Sequence, residues 1–297
     1  VKNMNADICK LCEKEAELKE SHIVPKLIFR WLKQTSATGL LRKGTEINKP
    51  IQDGLKLQWL CFDCEQRLSS WESYFAKSIF HTLRKKDRAN YNQNLLKFLV
   101  SLSWRVLAYF IELRVIDSFS PKIVTASNKA LVTWKNFLFD NIHHPCRYEQ
   151  HLYNFFGEIE SPNMVMSSNI NRYLQRAVEI DVISNGEVAF VYNKLPGLLN
   201  IGYINIGNSR EWRKTRVCVI QGQIMPMNYN FPAELWNIIQ QKADNAQKLK
   251  NSISPAQQEK INKRILGNVD KAVQSETFKA LESDIKLFGT DLTFSKN

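Results

Sequence analysis

Cys9-Lys-Leu-Cys12 and Cys61-Phe-Asp-Cys64 are two Cys-x-x-Cys pairs on one chain, with Ser21-His22-Ile-Val-Pro25 between them. Two intervening residues let a short hairpin aim both thiolates at one ion, and two such pairs close a tetrahedral shell. The spacing therefore predicts a structural zinc on Cys9, Cys12, Cys61 and Cys64. The competing readings are two surface pairs that never meet and a thioredoxin-like redox motif. The latter is the weaker, because no strand-helix alternation surrounds either pair. His22, by itself, fits a capping or packing histidine beside the cysteines.

A leading Cys-x-x-Cys, a His followed by Ile-x-Pro, and Leu60-Cys61-x-x-Cys64 opening a helix together resemble the zinc-bearing branch of the HNH endonuclease family. The resemblance covers about residues 7 to 75. It implies a treble-clef or ββα-metal fold in which His22 draws a proton from the water that attacks a phosphodiester. It also implies one divalent ion, magnesium or manganese, that stabilises the scissile phosphate and leaving oxygen. Glu65 stands just after the last cysteine, where the family places a ligand, and carboxylate oxygens suit such ions. Glu65 itself replaces the family's usual His or Asn, and two further positions depart from the pattern. Ser21 stands where the family has Asp or His beside the base, and the middle Asn has no clear counterpart in residues 54–60, with Asn48 too far back. These departures favour a second reading, a zinc finger that has lost the reaction and binds nucleic acid or a partner protein. A third reading is an effector held silent by a partner or regulatory subunit. Bacterial defence against phage or mobile DNA is the setting that the resemblance implies.

The whole chain has 297 residues, 44% hydrophobic and 24% charged, which predicts a soluble globular protein with room for two domains. Lys and Arg number 41 against 29 Asp and Glu, a net charge of +12 that favours a polyanionic partner such as nucleic acid. Six cysteines, four of them paired by spacing, fit a reducing compartment, so a cytoplasmic location is expected, with Cys146 and Cys218 free and buried. The N-terminal residues show no apolar core of signal-peptide length. Residues 95–113 are long and apolar enough for a membrane span. Lys97, Arg105 and Glu112 would be costly in hydrocarbon, and a buried core helix is expected in place of a membrane segment.

The elements that would position the site follow from periodicity. A short helix is expected over 26–33, a loop over 35–54, and a helix over 65–80, with Glu72 on nearly the same face as Glu65, where it backs up a metal site or, more simply, faces solvent or is ion-paired. Arg42 and Lys43 in the loop either lie along a nucleic-acid backbone or belong to a plain insertion. Arg84, Lys85 and Lys86 open a basic run that reads as a phosphate contact or a solvated linker. Helices follow over 95–113 and 127–139. His143, His144, Cys146 and His151 invite a second metal site, although a loop packing its imidazoles fits their spacing better.

Beyond Pro162 the pattern becomes a helix over 168–177 and a hairpin of 179–183 with 187–192 around Asn185-Gly186. Strands over 198–206 and 216–220 follow, with a turn at Gln221-Gly222. Glu179 and Asp181 are expected to face solvent. Trp212 among Arg213, Lys214 and Arg216 could stack a base and hold phosphate, or anchor a surface loop. Helices close the chain over 231–249, after Ser254-Pro255 to about 266, and over 275–288. The class expected is α+β, with an N-terminal treble-clef zinc module over residues 1–80 and an α+β domain over 81–297. The latter is helical over 90–155, sheet over 178–222 and helical over 232–288. No Walker loop, dinucleotide fingerprint or internal repeat is present, which leaves ATP-driven chemistry unsupported.

Overall fold

β1 (Asp7–Ile8) and β2 (Glu15–Ala16) bracket the first cysteine pair, and β3 (Leu18–His22) carries the chain to His22. The computed structural model describes residues 7–157, 166–207, 210–229 and 231–294, so the N-terminal residues 1–6 and the break at Pro162 lie outside the described residues. Pro25 caps α1 (Lys26–Gln34), where its fixed φ and missing N–H cost nothing, and Ile28, Trp31 and Leu32 form the buried stripe. The stretch expected as a loop folds into a small hairpin of β4 (Leu41–Arg42) and β5 (Pro50–Ile51). β6 (Lys56–Cys61) returns beside β3, and α2 (Phe62–Tyr74) begins at once.

α2 passes through a π-helical stretch, Phe75–Phe80, into α3 (His81–Lys86). The boundary expected at 80/81 falls inside this helical run, and one apolar cluster joins Cys9, Trp59 and Phe75 to Leu99 and Trp134. β7 (Ala89–Asn92) then leads to α4 (Gln93–Glu112), whose first turn is capped by the Asn92 side chain accepting from Asn94 N. Every α4 residue from 95 to 107 is buried, as befits a helix that is apolar all round. Among the described residues α4 is the one helix long and apolar enough to cross a membrane, and 78% of its most apolar window is covered by the rest of the fold. Its charges are paired inside: Lys97 donates to Asp140 and the Phe137 carbonyl, and Arg105 to Glu72.

α5 (Pro121–Leu138) packs on α4, and β8 (Gln150–Asn154), α6 (Ile170–Arg176), β9 (Glu179–Ser184), β10 (Ala189–Leu195) and β11 (Leu198–Asn205) follow. The structure is thus α+β, with a four-stranded antiparallel sheet in the order β8-β11-β10-β9. Its fourth strand is β8, which corrects both the helical reading of 90–155 and the strand expected over 216–220. That segment gives the sheet only one bridge, Arg216 to His151. Tyr91 explains the diversion: its hydroxyl accepts from Cys218 N, and the next residues form β12 (Gln221–Ile224) against β7, where a turn was expected. The β9–β10 connection is four residues, not a tight primed turn, because Asn185 Oδ1 accepts from the amides of Glu187 and Val188. Cys146 and Cys218 are free but exposed, contrary to expectation, since both fall in connecting segments that need water for their backbone.

The sheet is covered on both sides, with side chains alternating by two. Val191, Leu195 and Leu198 face α4, whereas Phe190, Tyr192, Leu199, Ile201 and Tyr203 face the second core under α6 and α7 (Ala233–Asn251). Polar residues on the α4 side bond one another, although Gln150 Nε2 and Asn193 Oδ1 are left without a partner among the described residues. Ser103 Oγ donates to Gln150 Oε1 at 2.8 Å, Asn193 Nδ2 to Ser103 Oγ at 3.0 Å, and Asn200 Nδ2 to Gln150 Oε1 at 3.0 Å. Gly202 makes room for this cluster, as a Cβ there would stand 2.6 Å from Ser103 Oγ.

On the opposite side Lys194 is fully buried, and its Nζ donates to the carbonyls of Leu174 at 2.6 Å and Leu195 at 2.5 Å. Burial, reinforced by Arg84, holds its amine well below the usual lysine range, with Glu179 opposing. Because the folded value lies below the unfolded one, stability rises with pH through the window between the two, by up to about 1.4 kcal/mol per pH unit. Urea melts at pH 7, 8 and 9 are expected to show the rise in the parent and a flatter slope in Lys194→Met; equal slopes would contradict it.

α8 (Pro255–Leu266), capped by Ser254, α9 (Val269–Val273) and α10 (Glu276–Phe294), kinked at Gly289, complete the chain. They reach back to its start. Glu276 N donates to Thr35 O, Arg42 to Gln257 Oε1, and Ser254 N to Asn48 Oδ1. Glu179 and Asp181, expected in solvent, are half-buried and both paired with Lys242 of α7.

Candidate metal centre and histidine pair

The β1–β2 hairpin turns through Glu13, which adopts φ 61° while its amide donates to Cys9 O at 2.8 Å. Lys10 N donates to Trp59 O at 2.9 Å, which lays this turn on the strand leading to the second cysteine pair. Cys61 ends β6 and Cys64 sits one turn into α2. The four ligand atoms lie within 4.8 Å of one another, and Cys12 Sγ is 3.7 Å from Cys61 Sγ. A disulfide would bring two sulfurs to about 2.05 Å. The observed gap instead matches the edge of a tetrahedron whose corners would lie about 2.3 Å from a central ion. All four thiols are free, three are buried and Cys12 is half-buried. The cluster could hold a metal ion.

Burial opposes ionisation of Cys9, but the amides of Cys12, Cys61 and Leu11 bring it down to about 7. Burial and the neighbouring thiols push Cys64 up, and burial does the same at Cys12. A bound cation would reverse the balance at both. Beside Cys12 and Cys61 runs a groove of about 590 Å³. Lys14, Lys19 and Arg67 line it against Glu15, Glu17 and Asp63, so it offers no net field to a polyanion.

His22 ends β3, and its Nε2 lies 2.9 Å from Asp53 Oδ2. Both side chains are about one-fifth exposed, at 17% and 20%. Burial raises the Asp53 carboxyl, but the His22 bond, the Gly54 amide and the charges of His22 and Lys56 hold it below the usual carboxylate range. The sequence pattern places Asp53 and Gly54 only at the end of a loop. Only the register, with His22 opposite Lys56, shows that the loop must set Asp53 against the imidazole. Gly54 is required there, since a Cβ would come 2.2 Å from the Phe29 ring. Gly54→Ala is expected to cost about 1–3 kcal/mol through overpacking and to separate Asp53 from His22. Thermal melts and imidazole nitrogen shifts measure the two effects.

Leu18 faces Cys61, so His22 lies four residues, about 13 Å, along the hairpin from the cysteine end. The Glu65 side chain, one turn into α2, makes no hydrogen bond or ion pair among the described residues. Glu72, two turns further, is the helix carboxylate tied to His22: Arg105 Nη1 donates to His22 O at 2.9 Å and to Glu72 Oε1 at 2.7 Å. Ser21 is buried, with its hydroxyl donating to Lys19 O. Among the described residues the four cysteines are the one such cluster of His, Cys, Asp or Glu. His143, His144, Cys146 and His151 do not converge. His151 is buried in β8 with Nδ1 against Trp212 O and Thr215, and His144 Nδ1 accepts from Cys146 N.

Of the basic residues, Lys43, Lys85, Lys86, Arg213 and Lys214 are exposed. Arg42 is used internally, on Ile47 O and Gln257. Arg84 is no linker residue: it belongs to α3, lies 3.7 Å over the Trp31 ring and donates to Pro196 O, because the aromatic floor beneath α3 shelters its guanidinium. Trp212 is buried against Tyr203 and His151, so its indole anchors a loop and offers no face to a base.

Compared with family models, curated proteins and solved structures, the chain matches none.

Proposed function

We propose that this chain is an HNH-like endonuclease, with a structural zinc on Cys9, Cys12, Cys61 and Cys64 in a treble-clef frame and His22 as general base. The observation that carries the reading is the 2.9 Å contact between His22 Nε2 and Asp53 Oδ2, on the hairpin that also delivers Cys61. With Nε2–H donated to Asp53, Nδ1 is free to take the proton of a water attacking a phosphodiester, and the carboxylate stabilises the imidazolium that results. Asp53 thereby supplies the orienting partner that the sequence alone did not offer. Lys56 Nζ, 3.6 Å from Asp53, adds a cation for a phosphate oxygen. Beside His22 the described residues form no three-donor cradle for a second ion. Glu65 is the carboxylate that the resemblance assigns to magnesium or manganese, ions that keep several waters and bind through one or two carboxylates plus substrate phosphates.

A second reading, a zinc module that binds nucleic acid or a partner protein without cutting, draws support from the burial of Ser21 and the missing cradle. Cleavage of plasmid and RNA with magnesium, manganese or nickel, with zinc content measured alongside, separates the two. His22→Ala is expected to lose about 10²–10⁴-fold in rate while keeping its zinc, and Asp53→Asn to lose part of that. A zinc-replete parent that cuts nothing sinks the nuclease reading and leaves the binding module.

A further inference from the structure

α8 is a 12-residue helix without a buried residue. Core packing does not explain why it is there; its start is held by the β4–β5 hairpin, through Asn48 to Ser254 N at 2.8 Å and Arg42 to Gln257 at 3.3 Å. Helix and hairpin therefore form one surface. Residues 41–50 and 248–271 hold nine Lys or Arg against three Asp or Glu, which is half of the chain's net +12. Lys43, Lys49, Lys260, Lys263 and Arg264 are exposed. The pairs Lys49–Glu46 at 3.6 Å and Lys263–Glu259 at 2.8 Å are solvent-facing, and such pairs yield readily to a stronger anion.

The same two segments contain no Phe, Tyr or Trp. Single strands are gripped by aromatic platforms on which bases stack, whereas a duplex offers its outer phosphates and asks only for cations. The surface also leads to the candidate site. Lys49 is four residues from Asp53, so it lies within about 14 Å of it along the chain.

We infer that α8 and the β4–β5 hairpin form a docking surface for the phosphate backbone of a duplex, which they lead toward His22 and Asp53. The inference rests on the nucleic-acid reading above. Fluorescence anisotropy of a labelled DNA duplex with the full chain, titrated with salt, tests it. Lys260→Gln/Lys263→Gln/Arg264→Gln is expected to weaken binding and to reduce the slope of log affinity against log salt by about 2–3, one step of about 0.9 per lost phosphate contact. Lys122→Gln/Lys129→Gln, on exposed positions of α5, is expected to leave the slope unchanged. A triple variant with the parent's slope, single strands bound as tightly as the duplex, or a parent that does not bind duplex would each overturn the inference. Catalysis is scored separately. A parent that binds through α8 and never cleaves loses the nuclease reading and keeps this surface, whereas one that cleaves with an unaltered triple-variant slope does the reverse.

Discussion

Cys64→Ser is expected to abolish metal retention and to unfold the N-terminal third of the protein. Cys64 is 2% exposed and closes the four-sulfur cluster from α2. Structural zinc contributes about 10–16 kcal/mol of apparent binding free energy in small zinc modules at neutral pH, as much as the whole stability of a typical domain at about 5–15 kcal/mol. Without the ion, Cys9 and Leu11 have little to hold them: β1 and β2 are two residues each, and the turn between them keeps Glu13 in a left-handed conformation that costs about 1–2 kcal/mol. The loss should spread, because Cys9, Leu11, Trp59 and Leu60 belong to the same apolar cluster as α4. Elemental analysis and tryptophan fluorescence read the two effects together. Cys146→Ser and Cys218→Ser, at exposed thiols, should change neither. A Cys64→Ser protein that keeps one equivalent of metal and the parent's fluorescence would refute the four-cysteine site.

Asp284→Ala is expected to cost about 3–5 kcal/mol, the usual penalty for leaving one member of a buried ion pair alone. Asp284 is fully buried in α10, and it accepts from the amides of Asn171 at 2.8 Å and Arg172 at 3.2 Å and from Arg172 Nε at 2.6 Å. One carboxylate thus satisfies the open end of α6 and neutralises a guanidinium whose side chain is 10% exposed. Its removal strands both. Arg172→Met in the same chain should return much of the loss, since an apolar side chain needs no counter-charge. Urea unfolding of the single and double variants decides: equal stabilities would mean that the pair carries no coupling.

What could be read in the residues alone was whatever depends on local chemistry. Convergence of the cysteine pairs is the reading that their type and spacing favour, and the four sulfurs do lie together. α4 follows from a long, mostly apolar run and the β9–β10 connection from Asn185-Gly186. β8 was misread because its sheet is covered on both sides: Gln150 and His151 are polar yet buried, one in the Ser103 cluster and the other against Tyr203. Arg84 looked like surface charge for the same reason, since cation–π shelter from Trp31, Phe80 and Phe156 is made by residues far apart in the chain. Asp53 was the costliest omission. Its role depends on strand register and on Gly54 admitting the Phe29 ring, and neither leaves a local mark in the sequence.

The hairpin that precedes Asp53 is fastened by partners 215 and 206 positions away, and Thr35 by Glu276. A ribosome delivers the chain from its N-terminal end. The cysteine set is complete once residue 64 has emerged, but the anchors of this hairpin, Ser254 and Gln257, arrive far later. During synthesis the four-cysteine cluster can therefore assemble well before the hairpin that precedes Asp53 is fastened.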